Sequence, residues 1–533
     1  MAGGSITRSL VTNVTETWHS LSTNTQRGLL SFAIVATIVG LYYLLPRHKQ
    51  RLVPGIPIIG GEDEASIRKS RIRFLHDGMQ MLLEGYQLTK GGLYYVPSKL
   101  GERLMLPTRY LKELKSAPIH KVDFVATFIE MFEGKYTTMG SRSTLHPRVV
   151  RGQLNRNLWT VISDVQEEIS DAFDDAFPAC DDWTEVDVVD RITQIVARVS
   201  SRMFGGTTLS RNKRWVKSSI DFAIDGFVGA QALKKYPEIL KPIAARFIPA
   251  IQNIKNHYAA VEEAAIPLIK EREATGATAS DFLYWMDQDA EGSEKDRAFL
   301  AGILLKVSFA AIHTSAAAPT QLLYDLCAMP EYIKPLRQEI LDNTDEDGLI
   351  SRHGFQGMSK LDSIMKESQR FNPLLLITFQ RVVTKDYRLS DGLTIPANTT
   401  IGIPTHAVSM DPDLYPEPKK FKGFRFHELQ KKAQPSKKGQ DAETGDKERA
   451  APSKAYAASH PSSMAFGYGR HACPGRFFAS AEIKAIMVYL LMNYDFKFPE
   501  DQPERPPSLL FETQNLPNPG GRIMFRRRGL ERS

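Results

Sequence analysis

The sequence predicts a mainly α-helical protein with a small β part, preceded by one transmembrane helix. Helices are predicted for residues 151–204 and 215–272, where apolar side chains recur every three or four positions. Strands are predicted within residues 93–106 and 377–395, where short apolar runs are interrupted by turn residues. An uncharged apolar run at residues 28–45 predicts the membrane helix. The chain of 533 residues is long enough to bury a large hydrophobic core.

The apolar run at residues 28–45 is just long enough to cross a bilayer, because as a helix it extends about 27 Å. Tyr42 and Tyr43 lie near its end, where aromatic side chains favour the membrane interface. A basic cluster at residues 47–51 follows, and the positive-inside rule places that side in the cytosol. A signal peptide is disfavoured because the run begins late and no small-residue cleavage site follows it. A buried core helix remains the alternative.

We therefore expect four segments, namely a short luminal N-terminus (1–27), the anchor (28–45), a Pro/Gly hinge (46–61) and one large domain (62–533). Pro54 and Pro57 prevent a helix from continuing through the hinge. Residues 430–459 are polar, charged and poor in large apolar side chains, which predicts a mobile insertion. Asn13 begins an Asn-Val-Thr sequon that this topology places in the lumen, and its glycosylation is left open.

Charge and cysteine content exclude several classes of protein. The net charge is +7, but the basic residues are scattered and lack an aromatic-interleaved patch, which argues against nucleic-acid binding. This charge suits an acidic protein partner or an anionic membrane surface. The three cysteines, Cys180, Cys327 and Cys473, are too few for a disulfide framework and have no zinc-site spacing. They indicate a reducing compartment.

Three shorter elements complete the predicted fold. Residues 93–96 and 103–106 are predicted to form a β-hairpin around a glycine-containing turn. A short helix is predicted over residues 108–115, with Thr108 as its N-cap. Residues 301–326 are long, apolar and nearly free of acidic side chains, which predicts a buried helix that crosses the molecule.

Cys473 lies in the most informative segment, Phe-Gly-Tyr-Gly-Arg-His-Ala-Cys-Pro-Gly at residues 466–475. The glycines allow sharp turns and let the backbone approach a flat ligand closely. Pro474 suits the first turn of a helix, so Cys473 is predicted at a helix N-terminus. Backbone dipoles stabilise a thiolate there, which favours an axial iron ligand. A structural cysteine in a glycine-rich turn is the alternative.

A second motif, Phe-Ala-Ala-Ile-His-Thr-Ser at residues 309–315, lies within the predicted buried helix. The small side chains of Ala310 and Ala311 let a flat ligand approach the helix. Thr314 can bond the carbonyl four residues earlier or turn its hydroxyl toward a ligand. His313 can carry protons. The alternative is a buried helix that contains these residues by chance.

The two motifs resemble those of the cytochrome P450 superfamily, in particular fungal microsomal members of terpenoid-type secondary metabolism. The fixed positions of the family's cysteine loop are all filled, by Phe466, Gly469, His471, Cys473 and Gly475. The resemblance extends over nearly the whole chain in the family order. It implies the cytochrome P450 fold, a single mainly α domain with a small β part.

The resemblance also implies a haem b (iron protoporphyrin IX) cofactor whose iron is held by Cys473. His471 and Arg381 match family residues that bind the haem propionates, and His146 is a looser match for the same role. Phe466 and Gly475 match residues of the haem-binding loop.

On the opposite side of the haem, Thr314 matches the threonine that orders water at iron-bound dioxygen. The acidic residue that precedes this threonine in the family is His313 here, so an imidazole stands where a carboxylate relay is expected. An apolar substrate pocket is predicted, because four uncharged, apolar residues of these segments can line it. They are Phe309, Ala310, Leu374 and Leu375. Such a wall suits a lipophilic molecule.

A third motif matches the family's Glu-x-x-Arg helix. Glu367 and Arg370 carry opposite charges three residues apart on a predicted helix, where they can pair. Arg425, in the Pro-rich segment downstream, matches the third member of the family's ion-pair network. We interpret these three residues as structural and not catalytic.

The predicted function is that of a haem-thiolate monooxygenase that hydroxylates or otherwise oxidises a lipophilic small molecule, a terpenoid or related secondary metabolite. Its reaction uses O2 and electrons from outside the chain, because no flavin or nicotinamide module is visible in the sequence. The resemblance implies an NADPH-dependent flavoprotein reductase as the source of these electrons. The predicted location is the endoplasmic reticulum membrane, crossed once, with the catalytic domain in the cytosol. Two alternatives stay open. One is a haem-thiolate isomerase or dehydratase without external electrons, and the other is a non-catalytic haem-binding protein.

Overall fold

The structure is a computed structural model that describes residues 22–26, 40, 50–346, 348–433 and 455–529. The chain divides into two units, Met1–Arg51 and Leu52–Ser533. The predicted transmembrane helix and the Asn13 sequon lie outside the described residues, apart from Gly40. All elements named below belong to the larger unit.

Helices make up most of the larger unit. They are α1 (Glu64–Leu88), α2 (Leu111–Leu114), α3 (Phe124–Met131), α4 (Gly134–Thr137), α5 (Leu145–Val149), α6 (Leu158–Ala176), α7 (Val188–Ser210), α8 (Lys213–Leu233), α9 (Lys241–Ala244), α10 (Pro249–Thr275), α11 (Phe282–Asp289), α12 (Arg297–Ala328), α13 (Ile333–Leu341), α14 (Arg352–Gly357), α15 (Ser359–Phe371), α16 (Thr405–Ser409), α17 (Arg425–Ala433) and α18 (Arg476–Asn493). A single π-helical turn, Val150–Leu154, follows α5.

The β part consists of short strands in four small sheets. They are β1 (Tyr94–Ser98), β2 (Gly101–Met105), β3 (Val122–Asp123), β4 (Thr184–Asp187), β5 (Thr378–Val383), β6 (Tyr387–Arg388), β7 (Thr394–Ile395), β8 (Thr399–Ile403), β9 (Tyr494–Lys497), β10 (Leu509–Phe511), β11 (Gln514–Leu516) and β12 (Arg522–Arg527). The largest sheet has the order β1-β2-β8-β5-β3, and the others are β4-β12-β9, β10-β11 and β6-β7.

Helix α12 lies at the centre of the helical part, in contact with α7, α8, α10, α15 and α18. Its side chains are apolar on nearly every face, which is typical of a helix surrounded by others. Among the described residues it is the one helix long and apolar enough to cross a membrane, and about half of that apolar stretch is buried inside the protein. The predicted buried helix at residues 301–326 is confirmed, with a few residues added at each end.

Most of the predicted secondary structure is confirmed, with three corrections. The hairpin at residues 93–106 is present as β1 and β2. The helix at 108–115 begins as a 3₁₀ turn whose N-cap is Pro107, and the Thr108 side chain does not cap it. Strand β4 interrupts the region predicted as helix at 151–204, because it pairs with the distant β12. Residues 430–433 of the predicted insertion (430–459) belong to α17, and residues 434–454 lie outside the described residues.

Candidate active site

The loop that carries Cys473 is closed by its own backbone. Gly467 and Gly469 adopt φ values of +72° and +73°, a region that side chains disfavour. Between them and the cysteine the chain turns back, so that the N–H of Cys473 donates to the carbonyl of Phe466 at 2.8 Å. The Phe466 ring meets Tyr456 edge to face, with centroids 5.4 Å apart. The glycine positions of the predicted motif are therefore required by the turn.

Cys473 lies just ahead of α18. The helix begins at Arg476 with Gly475 as its N-cap, so Pro474 precedes the helix and does not occupy its first turn as predicted. Burial raises the pKa of the Cys473 thiol, while the backbone N–H groups of Gly475 and Arg476 lower it. Cys473 as a whole residue has accessible surface, although protein surrounds its thiol group. Helix N–H groups face it, as the sequence predicts, but burial is the larger effect on the free thiol.

One face of α12 also has accessible surface inside the fold. Ala310 and Thr314 are exposed, whereas Ser308, Ile312 and Ser315 around them are buried. The Thr314 hydroxyl donates to the Ala310 carbonyl at 2.7 Å, the back-bond expected for a threonine within a helix. Because α12 runs through the interior, a flat group can lie against this face.

His313 is turned away from that face toward α8. Its Nε2 lies 3.0 Å from the carbonyl oxygen of Ile220, to which the imidazole donates. Burial lowers the pKa of His313, so the ring is neutral at neutral pH. This contact joins α12 to α8.

A buried carboxyl group that the sequence did not identify joins α18 to α7. Glu482 of α18 is fully buried, and its Oε1 accepts a hydrogen bond of 2.6 Å from Ser200 of α7. Its Oε2 has no hydrogen-bond partner among the described residues. Burial raises the pKa of Glu482 to about 7, although Ser200 and Ser315 lower it. Ser315 follows Thr314 directly, so the carboxyl group lies near the turn that carries Thr314. A glutamate inside an apolar helix was the signal available in the sequence.

Arg381 and His471 both contact the ring of Phe124. The imidazole of His471 stacks on Phe124 with centroids 5.3 Å apart, and the guanidinium carbon of Arg381 lies 4.8 Å from the centroid of Phe124. Burial lowers the pKa of Arg381 to about 10. Phe379, two residues before Arg381, adopts φ +53° where the register of β5 shifts against β8. This non-glycine residue in the left-handed region sets the direction of the strand that carries Arg381.

His146 is half-buried on α5, and its buried Nδ1 has no hydrogen-bond partner among the described residues. Burial lowers the pKa of His146 to about 4, and the charges of Lys306 and Arg151 lower it further. Arg151, which the sequence reasoning missed, also lowers the pKa of His471 and donates to the carbonyl of Arg470 at 3.0 Å. Arg151 lies in the π-helical turn that follows α5, and no pattern in the sequence singled it out.

The predicted ion network is present and buried. Glu367 has no exposed surface and accepts hydrogen bonds from Arg370 at 2.9 Å and from Arg425 at 3.1 Å. Arg370 also donates to the carbonyls of Ser409 and Pro418, at 2.8 and 2.9 Å. The remaining donors of Arg425 bind carbonyls of the same Pro-rich segment. The network therefore joins α15 to the segment before α17.

The four residues predicted to line the pocket occur in two places. Phe309 of α12 meets Phe132 edge to face at 5.3 Å, and Ala310 follows it. Leu374 and Leu375 are half-buried in the segment between α15 and β5. The carbonyl of Leu374 accepts a hydrogen bond of 3.0 Å from the N–H of Asn515, which ties this segment to β11.

The described residues fit a haem. A thiol faced by helix N–H groups can bind iron once it is deprotonated, and an accessible helix face with small side chains can accept a flat ring. Beside this loop, the charges of Arg381 and Arg151 lower the pKa of His471. These basic side chains suit the two carboxylates at the edge of a haem. The buried Nδ1 of His146, unpartnered among the described residues, is a further donor or acceptor for such a group.

Comparisons with known proteins agree with this arrangement. A family model described as Cytochrome P450 matches residues 129–521. The chain is 35% identical to the cytochrome P450 monooxygenase braC of Annulohypoxylon truncatum, over 89% of this chain and 92% of that protein. It is 32% identical to ent-kaurene oxidase P450-4 of Gibberella fujikuroi over 86% and 90%, and 33% identical to the cytochrome P450 monooxygenase paxP of Penicillium paxilli over 94% and 95%. The chain belongs to the cytochrome P450 family, whose members bind haem and act as monooxygenases.

Proposed function

We propose that this chain uses haem b, held through the Cys473 thiolate, to oxidise a lipophilic small molecule. The observation that carries the proposal is that α12, whose Ala310 and Thr314 are accessible, contacts α18, the helix whose first N–H groups face Cys473. Burial disfavours the free thiolate, but a bound metal cation reverses that preference because a coordinating thiol is deprotonated. The bound haem supplies reductive activation of O2 and insertion of an oxygen atom.

In this proposal, side chains of the protein orient the haem by binding its two propionate carboxylates. His471, Arg381 and Arg151 bind the propionates, and His146 completes the set. Phe466 and Gly475 contact the haem from the cysteine loop. His471 and Arg381 both lie against Phe124, so they can bind the propionates at the same edge of the haem.

Thr314 is the proposed proton-handling residue on the substrate side. Its hydroxyl is held by the Ala310 carbonyl, which leaves the oxygen lone pairs directed into the site. In this position Thr314 orders a water molecule and passes a proton at Oγ1. His313 is the second proposed proton carrier, although its Nε2 is engaged by the Ile220 carbonyl. We propose a structural role for Glu367, Arg370 and Arg425, as the sequence predicts.

The proposed substrate is a terpenoid or related secondary metabolite. Phe309, Ala310, Leu374 and Leu375 form its apolar contacts, and an apolar wall favours lipophilic ligands. Two similar proteins are named ent-kaurene oxidases, which is consistent with this class.

Electrons come from an NADPH-dependent flavoprotein reductase that docks near exposed Arg470, beside the cysteine loop. We place the protein at the endoplasmic reticulum membrane, anchored by residues 28–45 with the large domain in the cytosol.

Turnover by the full chain in membranes tests this proposal. We expect product formation from a terpenoid panel only when NADPH, O2 and a flavoprotein reductase are all supplied. Incorporation of labelled oxygen from O2 into the product distinguishes a monooxygenase from a haem-thiolate isomerase or dehydratase, which needs no external electrons. Product formation without NADPH would favour the isomerase alternative. A haem-loaded protein that converts no member of the panel would favour a non-catalytic role.

A further inference from the structure

A buried polar cluster lies at the end of α8, away from the proposed haem contacts. It consists of Lys234, Glu512 and Arg103, which we call the α8 cluster. Only 3% of the Lys234 side chain is exposed, and 9% of the Glu512 side chain. Arg103 is 2% exposed. Three ionisable side chains buried together are costly unless their polar atoms are satisfied.

Two atoms of the α8 cluster lack hydrogen-bond partners among the described residues. Nζ of Lys234 lies 3.9 Å from Oε2 of Glu512, too far for a hydrogen bond, and no other described residue accepts a hydrogen bond from it. Oε1 of Glu512 is also buried without a partner. Burial lowers the pKa of Lys234, and the charge of Glu512 opposes this shift. The cluster therefore contains a free donor and a free acceptor within one ion pair.

Arg103 is satisfied by the neighbouring sheet. Its Nη1 donates to Gln380 at 2.7 Å and its Nε donates to Ser98 at 3.2 Å. Its charge lowers the pKa of Lys234 and of Glu130. Arg103 is thus a fixed cation of the cluster, and it lies against the residue that precedes Arg381.

The backbone around Glu512 places the cluster beside the proposed substrate pocket. Glu512 occupies the β10–β11 turn with φ +50°, a strained conformation for a glutamate. The next residue, Thr513, accepts a hydrogen bond of 2.7 Å from the N–H of Leu376. The preceding residue, Phe511, meets Phe227 of α8 edge to face at 5.5 Å. The turn is therefore held between α8 and the Leu374–Leu376 wall.

The charges of this region are balanced, which selects the kind of group that it can accept. Lys234, Arg103 and Lys99 are cationic, and Glu512, Glu130 and Glu133 are anionic. Glu130 has accessible surface, yet enclosure by protein raises its pKa, as expected for a side chain that borders the interior. A ligand carboxylate would be repelled by these glutamates, and a hydrocarbon would leave both unpartnered atoms unsatisfied.

We propose that the α8 cluster binds a hydroxyl group of the substrate, remote from the carbon that is oxidised. The hydroxyl oxygen accepts from Nζ of Lys234, and its hydrogen is donated to Oε1 of Glu512. This inference rests on the proposed function, because it assigns a specificity site within the same pocket. It also sets an order of reactions, since an earlier oxygenation, or a cyclisation that retains oxygen, must supply the hydroxyl of this substrate.

Alkylimidazoles test the proposal without knowledge of the substrate. The imidazole nitrogen binds the haem iron and shifts its absorption spectrum, while the tail extends into the pocket. Each alkylimidazole is compared with the analogue that carries a hydroxyl at the end of a tail of equal length, over a series of tail lengths. At one tail length the hydroxyl is expected to tighten binding about tenfold, which corresponds to about 1.4 kcal/mol, because it satisfies both unpartnered atoms.

The variant Lys234→Met should abolish this gain without weakening the plain alkylimidazole, and Glu512→Leu should do the same. Lys235→Met is the matched control, because the adjacent Lys235 is exposed. It should retain the tenfold gain. A hydroxyl that gives no gain at any tail length, or a gain that persists in Lys234→Met, would overturn the proposal. Failure of imidazole itself to shift the haem spectrum would instead contradict the proposed function.

Discussion

Arg370 holds both carboxylate oxygens of Glu367, with its Nε 2.9 Å from Oε2 and its Nη2 2.9 Å from Oε1. Arg425 approaches the same carboxylate from the other side, at 3.1 Å. A buried ion pair with this geometry is expensive to assemble and more expensive to break, because the remaining partner keeps its charge in the interior. The network therefore fixes the position of the segment that leads toward the cysteine loop.

The variant Glu367→Leu should destabilise the protein by about 3–5 kcal/mol, because two buried arginines lose their counter-ion. Urea unfolding followed by tryptophan fluorescence measures the loss. Lys217→Ala is the control, since Lys217 forms an exposed pair with Asp221 that contributes little. Equal stability of Glu367→Leu and the wild type would show that the network has no structural role.

Glu482 should make the stability of the protein depend on pH. Burial raises its folded-state pKa from 4.5 to about 7, so the folded protein binds more protons than the unfolded chain between these values. Stability from this group is therefore complete below about pH 4.5 and is lost as the pH rises through about 7. The loss amounts to at most about 3 kcal/mol.

The variant Glu482→Gln should remove that part of the pH dependence, because glutamine does not titrate. Thermal unfolding of both proteins between mildly acidic and mildly alkaline pH provides the measurement. We expect the variant to gain stability relative to the wild type as the pH rises. Parallel curves for the two proteins would mean that Glu482 does not titrate in this range.

Removal of the Arg381 charge should weaken haem retention. The variant Arg381→Gln loses a charge-assisted hydrogen bond to a propionate, and we expect about tenfold faster transfer of haem to a scavenging apoprotein. Arg381→Lys should restore part of the retention. The control Arg470→Gln removes the same charge from the cysteine loop at an exposed position and should have little effect. Unchanged haem transfer in Arg381→Gln would remove Arg381 from the haem contacts.

Replacement of the Thr314 hydroxyl should uncouple electron consumption from product formation. In Thr314→Ala the back-bond to Ala310 and the proton carrier are lost together. We expect product per NADPH consumed to fall at least about tenfold, since positioned proton donors contribute about 100-fold or more. Thr320→Ala is the matched control, because buried Thr320 makes the same back-bond, 2.9 Å from Ala316, elsewhere on α12. Equal coupling in Thr314→Ala and the wild type would contradict the role.

The sequence predicted correctly those helices and strands whose pattern of apolar residues is continuous along the chain. The apolar helix around Thr314 and the hairpin at β1 and β2 were visible because their periodicities are continuous in the sequence. Strand β4 was not, because its pairing partner β12 follows more than three hundred residues later, and long-range pairing overrides the helical pattern. The position of Pro474 was misjudged by two residues, since Gly475 provides a better cap.

The residues of the candidate site likewise fall into two groups, those that the sequence identified and those that it missed. Cys473 and Glu367 lie in motifs whose spacing along the chain is fixed, so the sequence alone identified them. Arg151, Glu482 and Lys234 were missed because their neighbours come from distant elements, and only the folded chain brings those neighbours to them. Burial and missing hydrogen-bond partners are properties of the fold, and no pattern of residue types reveals them.

The reduced carbon monoxide difference spectrum of the full chain tests the central claim most directly. A thiolate bound opposite carbon monoxide moves the main haem absorption band to a characteristic longer wavelength. We predict this band for the wild type and for Cys327→Ser, whose cysteine lies at the end of α12. In Cys473→Ser we predict its loss. Retention of the thiolate band in Cys473→Ser would contradict the assignment of Cys473 as the iron ligand.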